Sequence, residues 1–162
     1  MNHIIRPLKK EEYCLLPEFL YEAIYLPEGT EPPPRSVVHL PELQVYTAAF
    51  GRPHDYALAA EHNSRVIGLV WARIMEDYGH VDQNTPSLAI SLLPSWRGRG
   101  VGTSLLKEML SLLKKRGYGQ VSLSVQKANP AQRLYKRLGF RPLWETDKES
   151  IMVCHLDTQD FH

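Results

Sequence analysis

One stretch limits what this chain can fold into more than any other. It reads Ser87-Leu88-Ala89-Ile90-Ser91-Leu92-Leu93-Pro94-Ser95-Trp96-Arg97-Gly98-Arg99-Gly100-Val101-Gly102-Thr103-Ser104-Leu105-Leu106. It starts as a strand, passes through a glycine-rich turn and continues as a helix. Glycines at 98, 100 and 102 strip side chains from the turn. Backbone N–H groups there can converge on one point, and the following helix adds the positive end of its dipole. The turn is a seat for phosphate, or, on the plainer reading, a tight strand-to-helix connection with no ligand.

The elements around it predict a mixed α/β domain. His3 to Arg6 is short and extended, closed by Pro7. Lys9 to Tyr25 carries Leu15, Leu16, Phe19, Leu20, Ala23 and Ile24 at helical spacing, with Pro17 at an end or a kink. The proline-rich segment from Pro27 to Arg35 reads as a surface loop. Pro41 to Phe50 reads as a second helix, stopped by Gly51 and Pro53. Asp55 to Glu61 and Arg65 to Met75 read as strands joined at His62-Asn63-Ser64, the second buried on both faces. Asp77 to Thr85 is a polar loop.

The helix after the glycine turn is expected from about Gly98 to Arg116, with Val101, Leu105, Met109 and Leu112 as its apolar stripe. Gln120 to Gln126 alternates as a strand. Asn129-Pro130-Ala131-Gln132 is a helix start, and the short helix ends at Gly139. Phe140 to Trp144 and Ser150 to Leu156 form a closing hairpin. Together these make one domain over residues 1–162, a length that buries one sizeable core.

Bulk charge excludes some partners. The formal net charge is +1 with His neutral, which supplies no field for nucleic acid or an anionic membrane. No window is long and apolar enough for a membrane span, and the N-terminus lacks a signal-peptide core. Cys14 and Cys154 sit in apolar contexts without a metal-ligand partner, so both are expected as small core residues in a reducing, cytoplasmic setting.

Spacing decides between phosphate loops. Five residues on from Gly98 stands Thr103, with no Gly-Lys pair, so a P-loop fails. The third glycine falls one position early for a dinucleotide fingerprint, and no βαβ unit precedes it.

Arg97-x-x-Gly100-x-Gly102 resembles the Arg/Gln-x-x-Gly-x-Gly/Ala signature of the GNAT N-acetyltransferase superfamily. Downstream, Asn129-x-Ala131-x-x-x-Tyr135-x-x-x-Gly139-Phe140 resembles the family's second motif. The pair spans about residues 87 to 142, and the order of elements outside it agrees. The resemblance implies a central, mostly antiparallel mixed sheet whose fourth and fifth strands splay apart, with flanking helices. It implies acetyl-coenzyme A (acetyl-CoA) as co-substrate and a primary amine of a small molecule or protein as acceptor. The pyrophosphate would be held by Arg97, Gly98, Arg99, Gly100, Val101, Gly102 and Thr103. The pantetheine arm would pair with backbone near Leu92 and Leu93, with Asn129, Arg133 and Lys136 alongside.

The resemblance also gives Tyr135 the role of general acid to the departing thiolate. Ala131, Leu134, Tyr135 and Leu138 equally make an apolar helix face, so a core role competes. The thioester oxygen would be polarised by a strand N–H near Leu92 or Leu93. No base is evident, because the fourth strand offers only Ser87 and Ser91. Glu76, His80, Asp82 or a water remain open. Tyr21, Tyr25 and Tyr46 are candidate walls of the acceptor pocket, with Glu28 and Glu31 as charges near it. Two other readings stand beside this one: a coenzyme A-binding module without turnover, and a transferase of a different acyl group. The resemblance makes a homodimer a common assembly, but no interface is legible in the residues.

Overall fold

A computed structural model describes residues 2–157. Seven strands form one sheet in the order β1-β2-β3-β4-β5-β7-β6. They are β1 (Ile4–Pro7), β2 (Tyr56–His62), β3 (Arg65–Arg73), β4 (Ser87–Leu92), β5 (Gln120–Gln126), β6 (Arg141–Glu145) and β7 (Glu149–His155). Four α-helices flank it: α1 (Leu16–Ala23), α2 (Pro41–Gln44), α3 (Val101–Lys115) and α4 (Gln132–Arg137). Every neighbouring pair is antiparallel except β4 and β5, which run parallel and meet at one register pair, Ser87 with Ser122. The expected mixed, mostly antiparallel sheet with a splayed central pair is therefore present.

The splay follows from what each strand already bonds. β4 is paired with β3 along its whole length, and β5 is paired with β7 along its whole length. At the closed end Ser122 N–H donates to Pro86 O at 3.0 Å. Two further bonds pin each strand to a different partner. Ser91 Oγ donates to Phe19 O of α1 at 2.6 Å, and Ser122 Oγ donates to Gly79 O at 2.6 Å. Gly79 is obligatory there: a Cβ would lie 3.0 Å from the backbone of Leu123 and Ser124. The loop between β3 and β4 thus lies directly on β5.

Two cores sandwich the sheet. On one face α3 buries Val101, Leu105, Leu106, Met109, Leu110 and Leu113 against Val70, Leu88, Leu123 and Met152. Each such side chain gains roughly 1.5–3 kcal/mol on leaving water. On the other face Leu16, Phe19, Leu20 and Tyr46 cover Leu69 and Trp71. β3 serves both cores and is buried from Ile67 to Arg73, as its unbroken apolar run predicts.

Several expectations are corrected. The helix expected over Lys9–Tyr25 is split into a 3-10 segment, Lys10–Leu15, and α1. Pro17 has no N–H to give, so it is accommodated in the first turn of α1. The helix expected over Pro41–Phe50 shrinks to α2. Tertiary donors take the carbonyls a longer helix would use: Trp71 Nε1 donates to Tyr46 O, and Arg73 Nη1 to Val45 O and Ala48 O. α3 begins at Val101 rather than Gly98, because Gly98 and Gly100 have φ of 75° and 84°. α4 begins at Gln132 with Ala131 rather than Asn129 as its cap residue; Asn129 Oδ1 accepts from Ala131 N–H at 2.9 Å in the turn that leads into it. Cys154 is buried, but Cys14 is exposed on its 3-10 segment, so only one cysteine is a core residue.

Arg6 ties β1 to its surroundings, reaching Glu12 at 2.8 Å and Glu61 at 2.9 Å. The Arg6 hydrogen bond holds the Glu12 carboxyl down at about 2, against an ordinary 4.5. A depressed folded-state value contributes stability above the ordinary pKa that is lost as pH falls through the folded one. Glu12→Gln is expected to lower the melting temperature at pH 7 and to flatten its fall between pH about 4.5 and about 2. Acid melting followed by circular dichroism checks this; identical slopes in the two proteins would remove Glu12 from the acid transition.

Candidate active site

The glycine turn lies at the open end of the splay, where β4 hands over to α3. Gly98 and Gly100 adopt φ of 75° and 84°, a region that L side chains avoid. A Cβ at either would meet no protein atom within 4 Å, so the turn faces open space. Gly102 is different: its Cβ would rest 3.7 Å from Leu92 and 3.9 Å from Leu134, which seats α3 closely between β4 and α4. Ser104 N–H bonds Gly100 O at 3.2 Å. The amides of Val101, Gly102 and Thr103 precede it and have no carbonyl within the helix to bond. The result is a bare, electropositive helix end.

Guanidinium groups surround it. Arg97 Nη2 donates to Glu22 O at 3.2 Å, fixing the turn to the end of α1. Arg99 lies over the Trp96 ring at 5.3 Å. Arg137, absent from the sequence expectations, reaches Thr103 Oγ1 at 3.4 Å from α4. Its signal was available, since it lies one position beyond Lys136 on a basic helix. Arg133 and Lys136 are exposed on α4.

β4 offers a strip of unpaired backbone toward the gap. Leu93 N–H donates to Ile67 O at 2.9 Å, and Leu93 O accepts from Trp96 N–H at 2.9 Å. The expectation that Leu93 offers free backbone is therefore corrected, because both of its groups are used. Antiparallel pairing sends alternate residues to opposite sides. With Leu93 turned to β3, Leu92 and Ile90 turn their N–H and C=O groups toward β5.

Past the Ser87–Ser122 pair the gap becomes a cavity of about 400 Å3. Leu88, Ala89 and Ile90 of β4 face Ser124, Val125 and Gln126 of β5 across it. Ala23, Ile24 and Tyr25 from the end of α1, Pro33, Val37, Leu43, Tyr46 and Tyr78 close the opposite face, and Asn129 and Glu149 complete the rim. Tyr25 Oη donates to Ala128 O at 3.0 Å and so bridges α1 to the loop after β5. Of the three tyrosines expected as walls, Tyr25 and Tyr46 line the cavity. Tyr21 instead braces the proline loop, its Oη donating to Pro33 O at 2.5 Å and Arg35 stacking on its ring at 4.7 Å.

Tyr135 packs in the core behind this cavity, which it shares with Val125 and Leu88. Its ring meets Phe140 edge-on at 5.9 Å. It is 9% exposed, and burial pushes its hydroxyl up to about 12. The phenol is thus a neutral donor across the physiological range.

The base candidates fare differently. Asp82 is exposed and accepts from Asn84 N–H at 2.8 Å, shaping its own loop. His80 Nδ1 is bonded to Met75 O at 2.8 Å, and Glu76 points to solvent. None of the three lines the cavity. Asp77 of the same loop does not line it either, but sits beside Tyr46, which does. Asp77 Oδ1 accepts from Ser87 Oγ at 2.7 Å, and its carboxylate lies close enough to Tyr46 for the two to perturb each other. Burial raises the pKa of Asp77, and burial beside that carboxylate raises Tyr46. Sequence offered no way to choose Asp77 from its polar loop, because only packing takes it out of water.

Among the described residues no helix is long and apolar enough to cross a membrane, and no cluster of metal-ligating side chains occurs. Residues 20–140 match the model of the acetyltransferase (GNAT) family. The chain is 33% identical over 100 residues to a mycothiol acetyltransferase of Thermobifida fusca, a match covering 59% of this chain and 31% of that one. It is 28% identical over 98 residues to a putative ribosomal-protein alanine N-acetyltransferase of Bacillus subtilis, covering 60% of this chain and 61% of that one. The chain thus spans about a third to three fifths of the length of these relatives. The PaiA N-acetyltransferase of Thermoplasma acidophilum, solved with coenzyme A, superposes with a TM-score of 0.70 at 23% identity, covering 96% of this chain and 99% of that one. The ribosomal-protein alanine N-acetyltransferase of Escherichia coli superposes at 0.66 with 18% identity, covering 96% and 94%. With the family match covering the glycine turn, the splayed strands and the Tyr135 helix, this chain belongs to the GNAT acetyltransferase family.

Proposed function

We propose that this protein transfers an acetyl group from acetyl-CoA to the nitrogen of a primary amine. The observation that carries the reading is that one strand, β4, borders the cavity with Leu88 to Ile90, leaves one backbone side unpaired past Ser87, and ends at the bare start of α3. Gly98 and Gly100 leave open space that a side chain would fill, and Arg97, Arg99 and Arg137 surround it, so the residues fit a pyrophosphate. Leu92 and Ile90 present N–H and C=O groups suited to the amides of an extended pantetheine, as a strand edge takes a further strand.

Acetyl-CoA supplies an activated thioester carbonyl; the protein supplies the rest. A β4 amide facing the gap, that of Ile90 or Leu92, stabilises the carbonyl oxygen as it gains charge. The ammonium first loses one proton to solvent; the neutral amine nitrogen then bonds to the carbonyl carbon, the carbon–sulfur bond breaks, and Tyr135 gives its proton to the sulfur. The second proton shed by the nitrogen leaves past Tyr46, a wall of the cavity, toward the Asp77 carboxyl beside it, which burial makes more basic, and a proton from solvent restores Tyr135. Asn129 lines the cavity, and Arg133 and Lys136 lie on α4.

Thiol release from acetyl-CoA across a panel of amines tests the function. Release stimulated by an amine, with an N-acetylated product, supports it. Acetyl-CoA binding with no release for any amine favours a binding module. Gly100→Glu tests the cofactor seat: positive φ costs about 1–2 kcal/mol for an L residue, and a carboxylate repels phosphate. The KM for acetyl-CoA is expected to rise by about tenfold or more, with the amine KM little changed. Unaltered acetyl-CoA affinity in the folded variant would move the seat elsewhere.

A further inference from the structure

The cavity between β4 and β5 has an unusual charge balance. Of the residues lining it, Glu149 is the one that bears a formal charge; no Lys or Arg lines it. Glu149 opens β7 opposite Gln126 of β5, at the wide end of the splay. Its backbone is fully used, since N–H donates to Thr146 Oγ1 at 3.0 Å and O accepts from Thr146 N–H at 2.9 Å. Its carboxylate has no ion-pair partner among the described residues. Lys127 Nζ sits 3.3 Å from Glu145, and Lys148, next to Glu149 in the chain, is exposed and does not line the cavity. Tyr25, Tyr46 and Tyr78 line the same cavity, and aromatic rings favour a cation at their faces. The Glu149 carboxylate lies near enough to Tyr78, another lining residue, to push its hydroxyl up together with burial and Glu42. The remaining polar lining, Ser124, Gln126 and Asn129, is neutral.

A pocket of this kind discriminates by sign. A half-buried carboxylate without a partner gains from an incoming ammonium, and repels a second carboxylate brought in beside it. Resting on the acetyl-transfer reading above, we propose that Glu149 is the acceptor-binding residue, and that it selects a cationic amine with no carboxylate next to the reacting nitrogen. That class comprises aminoacyl amides, peptide amino termini and alkyl amines. Free α-amino acids are excluded, because their carboxylate has no cation to meet in this cavity and Glu149 to oppose it.

The matched probes are L-alaninamide and L-alanine, which differ only in an amide replacing the carboxylate. Each is titrated calorimetrically into the coenzyme A-saturated protein, and thiol release from acetyl-CoA is followed in parallel. Alaninamide is expected to bind on the order of tenfold tighter than alanine. Glu149→Gln should erase most of that preference by weakening alaninamide, and Glu149→Lys should reverse it in favour of alanine. Unchanged coenzyme A affinity in both variants shows that they are folded. Equal or tighter binding of alanine to the wild type, the same preference retained in both variants, or no binding of either probe at millimolar concentration would each overturn the proposal. The two readings fail separately. An alaninamide preference that depends on Glu149 but comes with no thiol release sinks acetyl transfer and leaves this site standing. Alanine acetylated as fast as alaninamide leaves acetyl transfer standing and sinks the role of Glu149.

Discussion

Tyr135→Phe is expected to lower kcat by about 10²- to 10⁴-fold, the range a positioned proton donor contributes. The change removes one oxygen and leaves the ring against Phe140 in place. The fold and the pyrophosphate seat should therefore be untouched, and the KM for acetyl-CoA nearly constant. That pattern, a loss confined to turnover, marks an interaction made in the transition state rather than in binding. Stopped thiol release at saturating acetyl-CoA and amine measures it. The competing view treats Tyr135 purely as a core residue of the α4 face. On that view the hydroxyl does nothing, and Phe, being more apolar, should match or raise both rate and melting temperature. A rate within twofold of the wild type would therefore assign Tyr135 to packing alone.

Asp55→Ala is expected to cost about 3–5 kcal/mol of unfolding free energy, the scale for removing one partner of a buried ion pair. Asp55 and Arg73 are bonded at 3.0 and 3.1 Å with side chains 4% and 3% exposed. Without the carboxylate, the guanidinium stays buried with no anionic partner, keeping the Val45 and Ala48 carbonyls and the Phe50 ring at 5.3 Å. The loss reaches the site by a physical route. Arg73 holds those carbonyls in the turn after α2, and Tyr46, a wall of the cavity, lies within that turn. Asp55 also caps the chain before β2, accepting from Gly51 and Arg52 N–H. Urea unfolding should show a lower midpoint, and the amine KM should rise before the acetyl-CoA KM does. Pairing Asp55→Leu with Arg73→Met should recover part of the stability, because the cost is the orphaned charge rather than the missing attraction. A single-variant loss under about 1 kcal/mol would mean that solvent reaches the pair.

The expected elements were legible wherever local chemistry and tertiary packing agree. The β5 limits, Gln120 to Gln126, follow from strict alternation, and the end of α4 from Gly139, at a φ of 107°. They were misread where a distant group competes for the backbone. Nothing near Val45 or Ala48 announces that Arg73 will take their carbonyls, so the pattern from Pro41 to Phe50 looks helical until β3 is folded against it. Cys14 fails for a related reason. Its neighbours are apolar, but on a 3-10 segment their faces turn every third residue, and Cys14 falls outward.

The site divides the same way. Glycines at 98 and 100 are required by their own positive φ, and a phosphate seat at a helix end is a local property of turn and dipole. The sequence alone therefore determined the α/β class and the glycine turn between β4 and α3. Only the tertiary structure decided which backbone groups of β4 remain free, since that depends on β3 taking Leu93. It also decided that Asp77, rather than Glu76 or Asp82, is the half-buried carboxyl of its loop, and that Glu149 lines one cavity with Tyr25, Tyr46 and Tyr78. The reason is one of range. A turn is set by dihedral angles a few residues apart, whereas an acceptor pocket is set by which of many exposed polar side chains long-range packing brings to one point.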